Sequence, residues 1–386
     1  MPGSATIAAE WSILLAACSA QERLEKLSRL RSLLQQSVNW EQLFVLADRH
    51  RVQPLLHQAL REIEDAVPAS EMLLLKQGTQ ANIHKALLLS RELIRVLEPL
   101  SAAAIEVMPY KGVALAEMLY GDIALRHAGD IDLLIHAKDL GRIRQEVADL
   151  GYRSHTLLSE EEELAYMKSG YECAFDGPAG RNLLEVQWAI QPRFYAVDFD
   201  MDGLFARGVK ICVAGYAVKT PALADLFLLL SLHAAKHVWG RLAWLCDIAR
   251  LIQSPYLDWS LAGTQAKQLG IVRILWVTML AANQLLDVPI PNAARNTLPE
   301  DPASANIATE IQALITSDTA YDVESLSYFR LMMGLRERAS DRLRFFGRLA
   351  FTPGPSEWRA LRLPRPLFPL YRLVRISRLA ARVVRA

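Results

Sequence analysis

The sequence predicts an α+β protein in which a mixed-sheet core is set between two helical segments. Apolar residues recur at helical spacing up to about residue 104, and again from about residue 221. Between these limits, short aliphatic and β-branched runs replace that period. Strong turn chemistry, Asp176-Gly177-Pro178-Ala179-Gly180 and then Gly215, separates the later runs. The expected division is a helical N-terminal domain over residues 1–104, a core over 105–220 and a helical C-terminal domain over 221–386. A chain of 386 residues is long enough for two or three such units.

The elements follow in order. Residues 40–47 begin one amphipathic run. Pro54 suits the first turn of the next, with Leu55, Leu56, Ala59 and Leu60 at helical spacing. A longer helix is predicted over about 71–100, striped by Ile83, Ala86, Leu87, Leu89, Leu93, Ile94 and Leu97. These helices carry no chemical motif and read as a packing domain. The pattern changes near Ala104. Residues 105–110 form a short strand ending at Lys111-Gly112, and 113–120 read as a helix. Residues 131–135 are a compact apolar run suited to a buried strand. A helix over 138–150 stops at Gly151. Residues 171–175 and 183–188 flank the Asp-Gly-Pro turn as a hairpin, and 210–213 pair with 216–219. Thr220 then offers a helix cap and Pro221 a first-turn residue. Helices run on to about residue 349, interrupted by the Pro-rich stretch 289–302. Thr352-Pro353-Gly354-Pro355 is a breaker, and Pro364, Pro366 and Pro369 precede an Arg-rich last helix.

Composition excludes several classes. Hydrophobic residues at 52% and charged residues at 22% describe a folded chain rather than a disordered one. A formal net charge of +1 carries no overall nucleic-acid signature. The balance is uneven, however: residues 336–386 hold thirteen Arg and three acids, a net of +10, and the rest carries −9. Such a tail can meet nucleic acid, a membrane surface as a peripheral contact, or the acidic body itself. The four cysteines are scattered without CxxC or zinc spacing and read as buried reduced thiols of a cytoplasmic protein. The apolar stretch 11–17 lacks a basic flank and follows Glu10, unlike a signal peptide. Residues 271–286 carry Arg273, Asn283 and Gln284, so they read as a core helix rather than a membrane span.

Chemistry concentrates in Gly129-Asp130-Ile131-Asp132-Leu133-Leu134-Ile135. Two aspartates one residue apart on a strand face the same way and can share hard divalent ions, Mg²⁺ or Mn²⁺, that bind phosphates. The pattern is short, and solvated acids at a strand end are the plain alternative. Context favours a site, because two acids beside an apolar strand are costly without a cation. Gly112, eighteen residues before Asp130, stands where a strand turns into a helix. A glycine there lets backbone N–H groups approach a phosphate, and Lys111 adds a point charge. A third acid, Glu185, shares a strand face with Gln187, while Leu184, Val186 and Trp188 share the other. Glu185 suits a metal-ligand or general-base role.

Lys111-Gly112-Val113-Ala114-Leu115, Tyr120, Arg126 and Asp130-Ile131-Asp132-Leu133-Leu134 together resemble a bacterial nucleotidyltransferase family of largely unassigned substrate. That family lies within the DNA polymerase β-like superfamily. Asp130, Asp132 and Glu185 match the three acids of the superfamily pattern. The helix carrying His233, Lys236, His237, Trp239, Arg241, Trp244 and Asp247 is similar to the family's helical signature, and the Pro- and Arg-rich ending is also similar. Two departures stand out: Lys111-Gly112 replaces the superfamily's turn serine, and Gln187 stands where a histidine is common. Gln cannot titrate, which tells against proton transfer there.

The resemblance implies a polymerase β-like core and an NTP co-substrate, with ATP, the commonest donor, expected. The NMP would pass to an acceptor hydroxyl or phosphate with release of pyrophosphate, an enzyme of the 2.7.7 type. The family's place beside bacterial biosynthetic genes implies a small-molecule or peptide acceptor. Lys111, the Gly112 backbone and Lys236 would hold the β- and γ-phosphates, and His233 or His237 the nucleotide or acceptor. The two histidines, four apart, share a helical face, yet HExxH and His-Asp doublets are absent. They can equally be packing residues. Arg126 can hold a phosphate or neutralise the Asp pair, and Asp247 can partner Arg241 or serve as a polar group in helix packing. Trp239 and Trp244 read as core. A catalytically degenerate module that binds a nucleotide or a partner, with Gln187 as its mark, is the alternative function.

Overall fold

The computed structural model describes residues 9–127, 129–155, 160–180, 182–317, 325–353, 357, 361 and 363–385. Ala128 of the acidic motif, Gly354-Pro355 of the breaker and Trp358 of the tail lie outside the described residues. The chain opens with α1 (Ala9–Cys18), α2 (Arg23–Leu34), α3 (Trp40–Arg49), α4 (Gln53–Arg61) and the 34-residue α5 (Ala69–Ala102). The centre comprises β1 (Val107–Pro109), α6 (Gly112–Tyr120), β2 (Ile131–Ile135), α7 (Leu140–Asp149), β3 (Arg153–Ser154), α8 (Glu160–Ser169), β4 (Glu172–Asp176) and β5 (Leu183–Gln187). There follow α9 (Met201–Arg207), β6 (Val209–Val213) and β7 (Tyr216–Thr220). The last part holds α10 (Leu223–Lys236), α11 (Leu242–Gln253), α12 (Trp259–Leu269), α13 (Val272–Leu286), α14 (Asn292–Thr297) and α15 (Ala303–Thr316). It ends with α16 (Leu326–Gly334), α17 (Ala339–Phe351) and α18 (Tyr371–Arg385). The fold is α+β, as expected.

Five strands form a mixed sheet in the order β1-β2-β5-β4-β3. Only β2 and β5 run parallel, with Asp132 opposite Glu185 and Leu133 opposite Val186; the other pairs are antiparallel. Strand alternation sends Ile131, Leu133, Ile135, Leu184, Val186 and Trp188 into one apolar core. There they meet Leu89, Leu93, Val96 and Leu97 of α5 and Ile143 and Val147 of α7. Each such side chain contributes about 1.5–3 kcal/mol by burial. A register slip of one residue in β2 or β5 would drive Asp132 or Glu185 into this layer, so the apolar set itself locks the acids onto the opposite face.

A second core joins segments far apart in sequence. Helix α1, apolar on all sides, buries Ile13, Leu14 and Ala16 completely and contacts α2, α3, α4 and α13. The Ala20 amide donates to the Leu286 carbonyl at 2.7 Å. His50, between α3 and α4, caps α11: its Nδ1 accepts from the Leu242 amide at 3.2 Å and its carbonyl from the Ala243 amide at 3.1 Å. The helices before the sheet thus pack on those after it.

Several local readings change. Thr220 caps nothing; its Oγ1 donates to the Pro109 carbonyl at 2.8 Å and ties β7 to β1, and α10 starts at Leu223. Leu87 of the α5 stripe is exposed. Cys212 is exposed on β6, whereas Cys246 is buried. Of the possible partners for the Arg-rich tail, the body takes several side chains. Arg348 pairs with Asp198 through two bonds of 2.7 Å, and Arg336 donates to the Tyr195 carbonyl at 2.6 Å. Arg375 instead stays within the tail, where it donates to the Leu349 carbonyl at 2.8 Å. Among the described residues, no helix is long and apolar enough to cross a membrane; α13 is a core helix.

Candidate active site

The acid-bearing sheet face opens into a cavity of about 590 Å³. Its floor comes from β2, β4 and β5. Asp132 is the second residue of β2, 3% exposed, and its Cα partner is Glu185 on β5. Asp130 lies at the entry to β2 rather than within it and also lines the cavity. The three acids are therefore brought to one cavity. Burial, and then the Asp132 charge, raise Asp130 above its ordinary value. Burial, then Asp132 and Glu172, push Glu185 up to about 8. Among the described residues, no three His, Cys, Asp or Glu side chains gather closely enough to hold one metal ion between them.

Hydrogen bonds order this floor. Lys111 Nζ donates to Asp132 Oδ1 at 3.1 Å and sits 4.7 Å from the Tyr110 ring centre. Burial alone would lower the Lys111 ammonium, but Asp132 and Tyr110 hold it above its ordinary value. Gln187 is 2% exposed and fully used. Its Nε2 reaches Asp132 Oδ1 and Glu185 Oε2, each at 3.4 Å, while its Oε1 accepts from Tyr110 Oη at 2.7 Å. An amide does here what an ionisable ring would do only in one protonation state: it donates toward two carboxylates at every pH.

Gly112 opens α6 with φ of +56°. A Cβ there would lie 3.0 Å from the Asp130 carbonyl oxygen, so the α6 N-terminus and the Asp130 backbone pack too closely for a side chain. Arg126 closes the same corner. Its Nη1 donates to the Gly112 carbonyl at 3.2 Å, and its Nε reaches both Asp247 carboxylate oxygens at 3.0 and 3.1 Å. Tyr120 Oη donates to that carboxylate at 2.9 Å. The partner of buried Asp247 is thus Arg126, not Arg241.

His233, His237 and Trp244 form a ring cluster with centres 4.8–5.4 Å apart. His237 is the C-cap of α10 rather than part of its last turn. Burial, then the nearby cations, hold His233 well below its ordinary value and push His237 down to about 3, so both are neutral. Lys236 reaches the other end of the cavity, where its Nζ donates to Tyr171 Oη at 2.7 Å. Burial lowers it to about 8, against the pull of Glu172. Trp239 is fully buried and bonds Thr278, whereas Trp244 lines the cavity.

A family described as an uncharacterised nucleotidyltransferase matches residues 36–287, well over half of the chain. The chain belongs to this nucleotidyltransferase family. No curated protein and no solved structure matches it. The nucleotidyltransferase match covers the cavity from the α3–α4 turn through α11. Several polar lining residues escaped the sequence reading: Glu172, which pairs with Gln187 across β4 and β5, Tyr110, His127, Tyr171, and two cations from the N-terminal helices, Arg51 and Lys85. Glu172 was readable in principle, as a charge within an expected strand. Arg51 and Lys85 carry no local signal, because their place depends on how the N-terminal helices dock.

Proposed function

We propose that the chain transfers the NMP of an NTP to an acceptor hydroxyl or phosphate oxygen and releases pyrophosphate. The observation that carries this reading is the pairing of Asp132 with Glu185 across parallel strands, on a cavity that also receives Asp130 and the Gly112 turn. The side chains suit a hard divalent ion. The donors are all carboxylate oxygens, and burial with mutual repulsion holds Asp130 and Glu185 up, a penalty that added positive charge relieves. Mg²⁺ or Mn²⁺ would be held by Asp132 with Asp130 or with Glu185, two acids at a time, and phosphate oxygens and water would supply the remaining ligands. When bound, such ions neutralise triphosphate charge and polarise the α-phosphate.

The protein's own groups do the rest. The Gly112 turn and Lys111 receive phosphate oxygens at the α6 N-terminus. The acceptor oxygen attacks the α-phosphorus in line, the bond to the bridging α–β oxygen breaks, and pyrophosphate leaves. With the ion in place Glu185 would be ionised, and as a carboxylate beside the attacking hydroxyl it can accept that hydroxyl's proton. Gln187 and Tyr110 keep Glu185 and Asp132 oriented. Catalysis is mostly positioning and charge neutralisation. ATP is the expected donor, and a small molecule or peptide the expected acceptor.

The test is incubation of the full chain with each α-labelled NTP, Mg²⁺ or Mn²⁺ and an acceptor panel, following label transfer and pyrophosphate. Metal-dependent transfer, lost in Asp130→Asn and Asp132→Asn, is expected. Nucleotide binding without pyrophosphate release would favour a binding module. Transfer that survives both substitutions would overturn the assignment of the acids.

A further inference from the structure

A second charged group lines the cavity near Asp130. Arg51 comes from the α3–α4 turn, Lys85 from α5 and Arg241 from the residue before α11. These positions lie far apart in sequence, and a single joint brings two of them together. His50 receives the first two amides of α11, so Arg51 and Arg241 each sit one residue from that joint. The backbone at Arg51 is left-handed, with φ of +59°, a conformation that is unfavourable for a non-glycine residue. The turn therefore holds Arg51 in a strained geometry that aims it at the cavity.

The charges in this group are poorly neutralised. Among the described residues, Lys85 and Arg241 have no acidic partner in hydrogen-bond or ion-pair range, and Arg241 stacks its guanidinium 5.4 Å from the Trp244 ring centre. Arg51 has Asp48 at 3.9 Å, an exposed acid, and its Nη1 lies 3.0 Å from His127 Nε2. His127 is held neutral, so it orients Arg51 without cancelling its charge. Arg126 nearby is different, since Asp247 neutralises it. Three cations crowded together against self-repulsion call for an anion of several charges.

Position selects the anion. Lys85 and Arg241 lie within electrostatic reach of Asp130, the acid whose carbonyl abuts Gly112 at the α6 N-terminus. Lys236 instead lies within reach of Tyr171, Glu172 and Glu185, a group whose acids would repel a polyanion. We propose that Arg51, Lys85 and Arg241 form a clamp for the β- and γ-phosphates of the nucleoside triphosphate, so that the helices before the sheet complete the nucleotide site. The planar guanidinium forks of Arg51 and Arg241 suit non-bridging phosphate oxygens, and Lys85 supplies a mobile charge. Lys236 then belongs to the acceptor end. This inference rests on the nucleotidyl-transfer reading.

The test is calorimetric titration of the full chain with ATP, AMP and inorganic pyrophosphate, each with Mg²⁺, comparing wild type with Arg51→Gln/Arg241→Gln. Affinity for ATP and for pyrophosphate is expected to fall at least about tenfold, with AMP unchanged, and the two polyphosphates should compete. Arg51→Lys/Arg241→Lys should recover part of the loss. Lys85→Gln changes an exposed side chain, leaves the fold intact and should weaken ATP and pyrophosphate in the same sense. Unchanged ATP affinity in these variants, or an equal loss for AMP, overturns the clamp while the transfer reading stands. Simultaneous binding of pyrophosphate and ATP also overturns it, by assigning the cations to a phosphate of the acceptor. Failure of wild type to bind any NTP would instead sink the transfer reading, and the clamp with it.

Discussion

Helix α6 carries a glycine in left-handed backbone at each end, and the pair makes an internally controlled experiment. Gly112 has φ of +56° and Gly121 has φ of +64°. Alanine at either position pays the left-handed penalty, about 1–2 kcal/mol. Their surroundings differ. At Gly121 an added Cβ meets nothing within 4 Å, whereas at Gly112 it lies 3.0 Å from the Asp130 carbonyl oxygen. That oxygen belongs to backbone and cannot rotate away, so relief requires moving the Asp130 segment against α6. Both Gly112→Ala and Gly121→Ala should lower the melting temperature, by about 2–4 °C per kcal/mol lost. Only Gly112→Ala should also weaken ATP binding, by at least about tenfold, because the phosphate-facing turn and Asp130 shift together. Thermal melts and calorimetric ATP titration of both variants decide it. Equal ATP affinity in Gly112→Ala and wild type, or equal damage from Gly121→Ala, would refute the claim that this close approach builds the site.

Four further outcomes are expected. Asp132→Asn removes the negative charge that Lys111 and Gln187 face and one carboxylate oxygen, and should lower nucleotidyl transfer at least about 10²-fold, measured by label transfer at saturating NTP. Arg126→Met and Asp247→Leu should each cost about 3–5 kcal/mol in denaturant unfolding, since each strands a buried charge, and the double variant should cost clearly less than their sum. Tyr110→Phe leaves Gln187 Oε1 without its donor, costs about 1–3 kcal/mol and should lower transfer by freeing the amide to turn from the acids. His237 sets a pH dependence. Above its ordinary value of 6.5 both folded and unfolded states are neutral, and below it the unfolded chain takes the proton while native His237 does not until about 3. Stability should therefore fall as pH drops from 6.5 toward 3, and His237→Phe, which keeps a ring against Trp244, should flatten that slope in acid denaturation.

The sequence by itself determined most of the element types and singled out Asp130, Asp132 and Glu185, because those signals are local. Alternation in β2 and β5 separates Asp132 and Glu185 from Leu133 and Val186 within five residues, and burial of the apolar set then leaves the acids one face. Gly112 was legible for the same reason, as a glycine between a strand run and a helix run. What the tertiary structure alone decided is which distant groups meet. Parallel pairing of β2 with β5 sets Asp132 beside Glu185, and no local pattern distinguishes parallel from antiparallel partners. Arg126 could have faced phosphate or the acids; packing gave its Nε to Asp247, 121 residues away. Helices α1 to α5 looked like inert packing, because hydrophobic periodicity records which face is buried and not what it is buried against. Docking through His50 onto α11 brings Arg51 to a cavity whose acids, Asp130 to Glu185, lie 79 to 134 residues later, and that proximity is a property of the folded chain.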